Sequence, residues 1–152
     1  MILYHYTATE YLLSILENGI MIGDVPITLT GGFNAPWLTS DRDPGGHGLD
    51  SAWLDKRAVR ITVKIPPNDL RLKWWPKFAR KRVEPSWYGT LDRTGGGKSQ
   101  SWYVYRGIIP PSWILNIELL QESGTFVGHG ISGFLEELIS LQSTDKPTKI
   151  GF

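Results

Sequence analysis

A histidine and a threonine near the amino terminus are the first residues whose types could support chemistry. Both stand in residues 3–7 (LYHYT), a short apolar and aromatic run that predicts a β-strand. His5 can give a directed hydrogen bond to a sugar hydroxyl, and Thr7 precedes a predicted helix, whose first amides can meet a ligand. The alternative interpretation is a half-buried structural histidine, which is the more common role of a histidine among aromatic residues.

A second stretch with chemical potential is basic and aromatic. Residues 70–83 (LRLKWWPKFARKRV) contain six basic side chains, three aromatic rings and no acidic residue. Cations attract phosphates and rings offer stacking surfaces, so this stretch is a candidate for contact with a nucleic acid or a nucleotide phosphate. The alternative is a solvated helix face with its tryptophan pair anchored in the core. The cations expected to contact a phosphate or an acceptor are Arg71, Lys73, Lys77 and Arg80.

Composition limits the possible classes of protein. The chain has 152 residues, which predicts one domain over residues 1–142 followed by a polar tail over 143–152. With 16 basic and 15 acidic residues, the net charge of +1 gives no general reason to expect nucleic acid or membrane. The absence of cysteine excludes disulfides, and three widely separated histidines make a metal site unexpected. No basic leader or long apolar segment is evident, so we expect a cytoplasmic protein without a membrane partner.

The pattern of the first half predicts one helix and two strands around long loops. Apolar residues in 8–18 lie on one helical face, with Thr7 or Thr9 as the cap and Gly19 as the stop. Residues 23–36 are rich in glycine and proline and predict a loop, and 37–40 predict a strand. The turn-rich residues 41–48 follow, with His47 expected to be exposed. Residues 58–65 alternate regularly and predict a strand with one buried and one solvated face.

The second half predicts two further strands, a loop and a helix. Strands are expected at 101–106 and 114–120, a loop at 124–130 and an amphipathic helix at 133–142. Residues 94–99 (TGGGKS) do not form a phosphate-binding loop, because the earlier glycine of that motif is replaced by Asp92 and a strand follows. Regular alternation favours antiparallel pairing, which predicts an α+β protein with a mostly antiparallel sheet.

Three stretches in this order resemble motifs of the ADP-ribosyltransferase superfamily, in the branch whose signature is a histidine, a tyrosine and a glutamate. The first is the aromatic-His5-Tyr6-Thr7 run, which precedes a helix ending in Leu-Glu-Asn-Gly. The second is residues 37–40 (WLTS). The third is residues 101–105 (SWYVY), with residues 109–114 (IPPSWI) after it. The resemblance covers roughly residues 2–120.

The resemblance implies an ADP-ribosyltransferase-like fold, with a split, mixed and mostly antiparallel β-sheet and a few flanking helices, and it implies NAD as the substrate. His5 would then hydrogen-bond the nicotinamide-side ribose, and Thr7 with the adjoining backbone would hold the nicotinamide. A ring, Trp53 or alternatively Trp37, would stack on the base. The residues that the resemblance assigns to NAD are His5, Tyr6, Thr7, Thr39, Ser40 and Trp53.

The family's glutamate position, one or two residues before Trp102, holds Gln100 and Ser101 in this sequence. We assign these two residues, with His5, to the catalytic position, and consider Glu84 and Glu118 as substitute carboxylates. A glutamine can hold a ribose hydroxyl but cannot supply the negative charge.

The expected function is an NAD-dependent mono-ADP-ribosyltransferase that modifies a nucleic acid or a protein. The alternatives are a catalytically degenerate module that binds NAD, another nucleotide or nucleic acid, and a partner-binding inhibitor protein on the same fold.

Overall fold

The computed structural model describes residues 1–21, 23–26, 31–47, 49, 55–86, 89, 93, 97–121 and 123–129. The helix expected at 133–142, the tail and Trp53 lie outside these residues. The strands are β1 (Ile2–Thr7), β2 (Asp24–Pro26), β3 (Gly32–Asn34), β4 (Trp37–Thr39), β5 (Val59–Lys64), β6 (Leu72–Trp74), β7 (Trp102–Tyr105), β8 (Ile114–Leu120) and β9 (Phe126–His129). The α-helices described are α1 (Leu12–Asn18) and α2 (Trp75–Arg82).

One seven-stranded sheet organises the described chain. Its strand order is β6-β7-β4-β1-β5-β8-β9, and every pair of neighbours is antiparallel. The strands β2 and β3 form a separate antiparallel hairpin. This confirms the predicted α+β class with a mostly antiparallel sheet. The strand β1 occupies the centre of the large sheet, with β4 on one edge and β5 on the other.

Each face of the sheet carries its own hydrophobic core. On one face, Leu12 and Ile15 of α1 pack with residues of β1, β5 and β8 such as Leu3 and Ile61. On the other face, α2 buries Trp75 and Phe78 in a cluster with Trp102 and Val104 of β7 and with residues of the β2–β3 hairpin. Full burial of each such side chain stabilises the fold by about 1.5–3 kcal/mol.

The helix predicted at 8–18 is confirmed as a 3-10 turn (Thr9–Tyr11) that continues into α1. The predicted threonine cap is wrong, because neither the N-cap of the 3-10 turn, Ala8, nor that of α1, Tyr11, makes a side-chain hydrogen bond. Thr7 is buried in β1, and Thr9 donates its hydroxyl to Glu10. Gly19 does end the helix, with φ of 89°. A Cβ at Gly19 would lie 2.3 Å from the carbonyl oxygen of Ile109, so backbone packing also requires glycine there.

Two stretches predicted as loops contain strands. Residues 23–36 include β2 and β3, which pair because Val25 is buried opposite Phe33 despite the surrounding glycines and prolines. Residues 124–130 include β9, which pairs with β8 through a tight turn. In that turn the amide of Gly124 donates to the carbonyl of Gln121, and Gly124 has φ of 87°. A turn glycine next to an extended run is typical of a hairpin.

The pairing of β1 is unequal on its two edges. With β5 it pairs over six residues, from Ile2 opposite Lys64 to Thr7 opposite Val59. With β4 it pairs at one position, Tyr4 opposite Thr39. The backbone ladder between these two central strands is therefore limited to this one position.

A buried ion pair joins β5 to β8. The prediction of a solvated polar face on β5 is wrong at Arg60, which is only 7% exposed because Glu118, itself 8% exposed, lies opposite it. The Arg60 Nε and Nη2 atoms donate to the two Glu118 carboxylate oxygens at 3.0 and 2.8 Å. The guanidinium also lies 4.1 Å from the ring centre of Phe126. Burial alone would lower the pKa of Arg60, but the hydrogen bonds and charge of Glu118 outweigh it and raise the pKa.

Removing one partner of this pair should cost more than removing both. Glu118→Leu leaves the guanidinium buried without its counter-charge, so we expect the free energy of unfolding to fall by about 3 kcal/mol. The double variant Arg60→Met/Glu118→Leu fills the same space without charge and should lose less. Urea unfolding at pH 7 measures both, and a single variant as stable as the double would contradict the role of the pair.

Candidate functional site

His5 lies on β1 directly after Tyr4, the one residue that pairs with β4 through the backbone. Its register partner on β5 is Ile61, which places the imidazole on the α1 face of the sheet. The Nδ1 atom lies 2.8 Å from the carbonyl oxygen of Trp37 on β4. The preceding carbonyl, of Pro36, accepts from Tyr105 on the other side of β4, so alternation turns the Trp37 carbonyl towards β1. The imidazole therefore bridges the two strands close to where their ladder stops.

The hydrogen bond to Trp37 decides the tautomer of His5. A carbonyl oxygen only accepts, so Nδ1 carries the proton and Nε2 of the neutral ring keeps its lone pair. Burial lowers the pKa of His5, and the hydrogen bond to Trp37 opposes this only in part. The residue is 9% exposed, and this bond is the one hydrogen bond of its ring within the described residues. His5 is thus a neutral group at pH 7 with a hydrogen-bond acceptor still available.

The predicted residues Thr39 and Ser101 contact each other through their hydroxyl groups. The two oxygens are 2.8 Å apart, and Ser101 Oγ donates to the carbonyl of Lys98. Because a hydroxyl has one proton, Thr39 must donate to Ser101, while it accepts from the amide of Asp41 at 3.0 Å. These hydroxyls join the end of β4 to the 3-10 turn before β7. Their protons are not available to a ligand.

The remaining predicted residues of these motifs take different positions. Tyr6 is buried on the face opposite His5, and its hydroxyl donates to the carbonyl of Asp41 at 3.0 Å. Thr7 is buried on the same face as His5. The exposed Ser40 is held through its amide to the carbonyl of Ser101. The Gln100 side chain is exposed.

The structure therefore brings Thr39, Ser40 and Ser101 together at one end of β4. It does not bring His5 onto their face, because Thr39 is the register partner of Tyr4 and neighbouring residues of β1 point to opposite sides.

The expectation that His47 is exposed is wrong, since its side chain is only 4% exposed. The indole Nε1 of Trp102 donates to His47 Nδ1 at 2.9 Å, so the neutral ring carries its proton on Nε2. That nitrogen lies 3.1 Å from Asp41 Oδ2. Both ring nitrogens are committed, and His47 pins the turn-rich residues 41–47 against β7.

Lys98 completes this cluster. Its ammonium donates to Asp41 Oδ2 at 2.9 Å and to the carbonyl of Gly45 at 2.7 Å. Burial would raise the pKa of Asp41, but the amide of Asp43 and the donors Lys98 and His47 together hold it below its ordinary value. In this cluster the Asp41 carboxylate accepts from both Lys98 and His47. We therefore interpret the cluster as stabilising the loop.

This cluster was not predicted from the sequence. The sequence shows an aspartate and a histidine in one turn-rich loop, which is a weak signal for their contact. Lys98 is 57 residues from its partner Asp41, and Trp102 is 55 residues from its partner His47. The pairing of β4 with β7 brings these residues into contact.

The basic residues divide into paired and unpaired groups. Arg71 is paired with Asp69, whose pKa falls to about 2 because Arg71, and then Tyr105, donate hydrogen bonds to it. Lys73 is half-buried, and Lys77 and Arg80 are exposed on α2. Of the substitute carboxylates, Glu118 is committed to Arg60, and Glu84 is exposed just beyond the end of α2.

No protein-family model, curated protein or solved structure matches this chain. Within the part of the chain that is described, no helix is long and apolar enough to cross a membrane. The same residues contain no group of three or more histidine, aspartate or glutamate side chains placed to hold a metal ion. A function must therefore be argued from the chemistry of the site.

The lowered pKa of His5 predicts how stability depends on pH. In the unfolded chain His5 titrates at about pH 6.5, and in the folded protein below that, so the unfolded state binds more protons in between. The His5 contribution to stability is complete above about pH 6.5 and is lost as the pH falls towards the lower value. Urea unfolding between pH 7.5 and pH 5 should show a smaller loss for His5→Gln than for the unchanged protein. Thr7→Val, a buried control on the same strand, should keep the original dependence; equal losses in all three would contradict a depressed pKa.

Proposed function

We propose that this chain is an ADP-ribosyltransferase-like protein that binds NAD, with His5 on the nicotinamide-side ribose, and that it modifies a nucleic-acid or protein acceptor. The observation that carries the proposal is the fixed, neutral imidazole that connects β1 to the Trp37 carbonyl of β4 next to their single backbone pair. Its Nε2 lone pair can accept a hydrogen bond from a ribose hydroxyl. The motif resemblance of residues 4–7, 37–40 and 101–105 supports the same ligand.

The neutral state of His5 suits the proposed reaction. Cleavage of the bond between ribose and nicotinamide builds positive charge on the ribose in the transition state. A protonated imidazole beside that sugar would repel the developing charge. The burial that lowers the pKa of His5 therefore keeps a hydrogen-bond acceptor next to the sugar without adding an opposing charge.

The proposed reaction also needs a negative group near the reacting carbon, and this is the weakest match. Gln100 occupies the expected glutamate position, and its exposed amide could hold a ribose hydroxyl. Loss of an electrostatic stabiliser commonly costs about 3–4 kcal/mol of transition-state stabilisation. A transferase of this kind would be slow unless the acceptor or NAD itself supplies part of that charge.

A second candidate function, NAD binding without transfer, is favoured by a specific observation. Two described carboxylates near the site, Glu118 in the sheet and Asp41 in the loop beside it, are both held by cations. Neither offers a free negative charge to a reacting ribose. In this case the site keeps the ribose contact of His5 and has lost the chemical step.

One assay separates the two candidates. The pure protein is incubated with NAD labelled in the adenylate, together with DNA, RNA or cell protein, and both transferred label and free nicotinamide are measured. A transferase releases nicotinamide as label appears on the acceptor, and His5→Gln should lower both rates at least about tenfold. The exposed Thr9→Ala variant, on the connection after β1, should match the unchanged protein.

Binding is measured in parallel by calorimetry. Saturable NAD binding that His5→Gln weakens, without nicotinamide release, supports the second candidate. A folded protein that neither binds NAD nor releases nicotinamide would show that the proposal is wrong in both forms.

A further inference from the structure

Two arginines meet at one phenylalanine ring on the face of the sheet that α2 covers. Arg106 directly follows β7, and its Cζ atom lies 4.6 Å from the ring centre of Phe33 and 5.9 Å from that of Phe78. Arg82, the last residue of α2, has its Cζ atom 5.8 Å from the centre of the same Phe78 ring. The two rings pack edge to face, with their centres 5.9 Å apart. The two guanidinium groups therefore share one ring.

Neither guanidinium has a counter-charge in the part of the chain that the structure describes. Both side chains are exposed, and no salt bridge or side-chain hydrogen bond joins either of them to a described residue. Two other arginines that lie over rings are paired, Arg60 with Glu118 and Arg71 with Asp69. Two like charges at one ring repel each other, so an anionic ligand that contacted both would relieve this repulsion.

The surroundings of the two arginines indicate which anion they suit. A guanidinium over a ring presents its N–H groups around its edge, in a fork that matches the two oxygens of a carboxylate. Phe78 is only 8% exposed and Phe33 is half-buried, so neither ring offers an open face on which a base could stack. The net charge of +1 gives no general attraction to a long polyanion. The site therefore favours the carboxylates of a protein over a nucleic acid.

We propose that Arg82 and Arg106 form a docking site for an acidic segment of a partner protein, with one carboxylate on each guanidinium. In an extended chain, side chains two residues apart lie on the same side and are separated by about 7 Å. Because both guanidinium groups lie at one ring, a segment with acidic residues at alternate positions can reach both. The site lies on the face opposite His5. The inference therefore goes beyond the proposed function and does not depend on NAD binding.

The test measures binding of a short fluorescein-labelled peptide of alternating glutamate and serine, by anisotropy at low salt and without NAD. The matched peptide carries glutamine in place of every glutamate, and a single-stranded DNA of the same total charge is the competing probe. We expect saturable binding of the glutamate peptide, tighter than that of the DNA. The glutamine peptide should bind at least about tenfold more weakly, because it cannot form charge-assisted hydrogen bonds with the arginines.

Variants of the protein locate the site. Arg82→Gln and Arg106→Gln should each weaken binding of the glutamate peptide at least about fivefold, because each removes a charged two-point contact. Arg106→Lys keeps the charge but loses the fork, and should weaken binding about threefold or more. The matched control is Arg42→Gln, which removes an exposed arginine that lies over a different ring, that of Tyr4, at 5.7 Å. Its affinity should stay within about twofold of that of the unchanged protein.

Equal binding of the two peptides, tighter binding of the DNA, or an equal loss in Arg42→Gln would each overturn the inference. Unchanged binding by Arg106→Lys would also overturn it, because a diffuse positive charge would then explain the affinity. The proposed function is tested separately, since peptide binding is measured without NAD. Peptide binding by a protein that does not bind NAD would remove the proposed function and leave the docking site, and NAD binding without peptide binding would do the reverse.

Discussion

The hydrogen bond between the His5 imidazole and the Trp37 carbonyl is the interaction on which the candidate site depends. Two central strands of an antiparallel sheet would normally share a continuous ladder, yet β1 and β4 pair through the backbone at one position, Tyr4 with Thr39. Beyond that position the His5 side chain, and not the backbone ladder, bonds the Trp37 carbonyl. The same bond fixes the proton of His5 on Nδ1, and burial keeps the ring neutral. His5 therefore has two roles: its Nδ1 satisfies the Trp37 carbonyl, and its Nε2 is a potential ligand-binding group.

The two faces of the sheet differ in polarity around His5. On the α1 face, His5 and Thr7 are set among aliphatic side chains, with few polar neighbours. On the opposite face, polar groups are dense but mutually satisfied: Arg60 with Glu118, and His47 with Asp41 and Trp102. Satisfied networks of this kind make a loop or a strand pair rigid and leave little capacity for a ligand. This is why the denser cluster is interpreted as structural and the isolated imidazole as the candidate site.

The sequence predicted elements whose signals are local. The periodicity of residues 8–18 and the alternation of 58–65 correspond to α1 and β5. The hairpin of β2 and β3 and the strand β9 were not predicted, because the glycine and proline content of these stretches indicated loops. Their short apolar runs form strands through pairing with a partner strand, which the local sequence does not show. The solvation expected for Arg60 on β5 and the exposure expected for His47 failed for the same reason. Glu118 and Trp102 reach Arg60 and His47 through sheet register, which one sequence does not display.

The most direct test of the central claim is the nitrogen NMR spectrum of His5 in protein labelled with 15N-histidine, with the signal identified through His5→Gln. We predict a neutral ring protonated at Nδ1 at pH 7, and a change in the Nε2 shift when NAD is added. A His5 signal that is cationic at pH 7, or protonated at Nε2 and indifferent to saturating NAD, would contradict the claim.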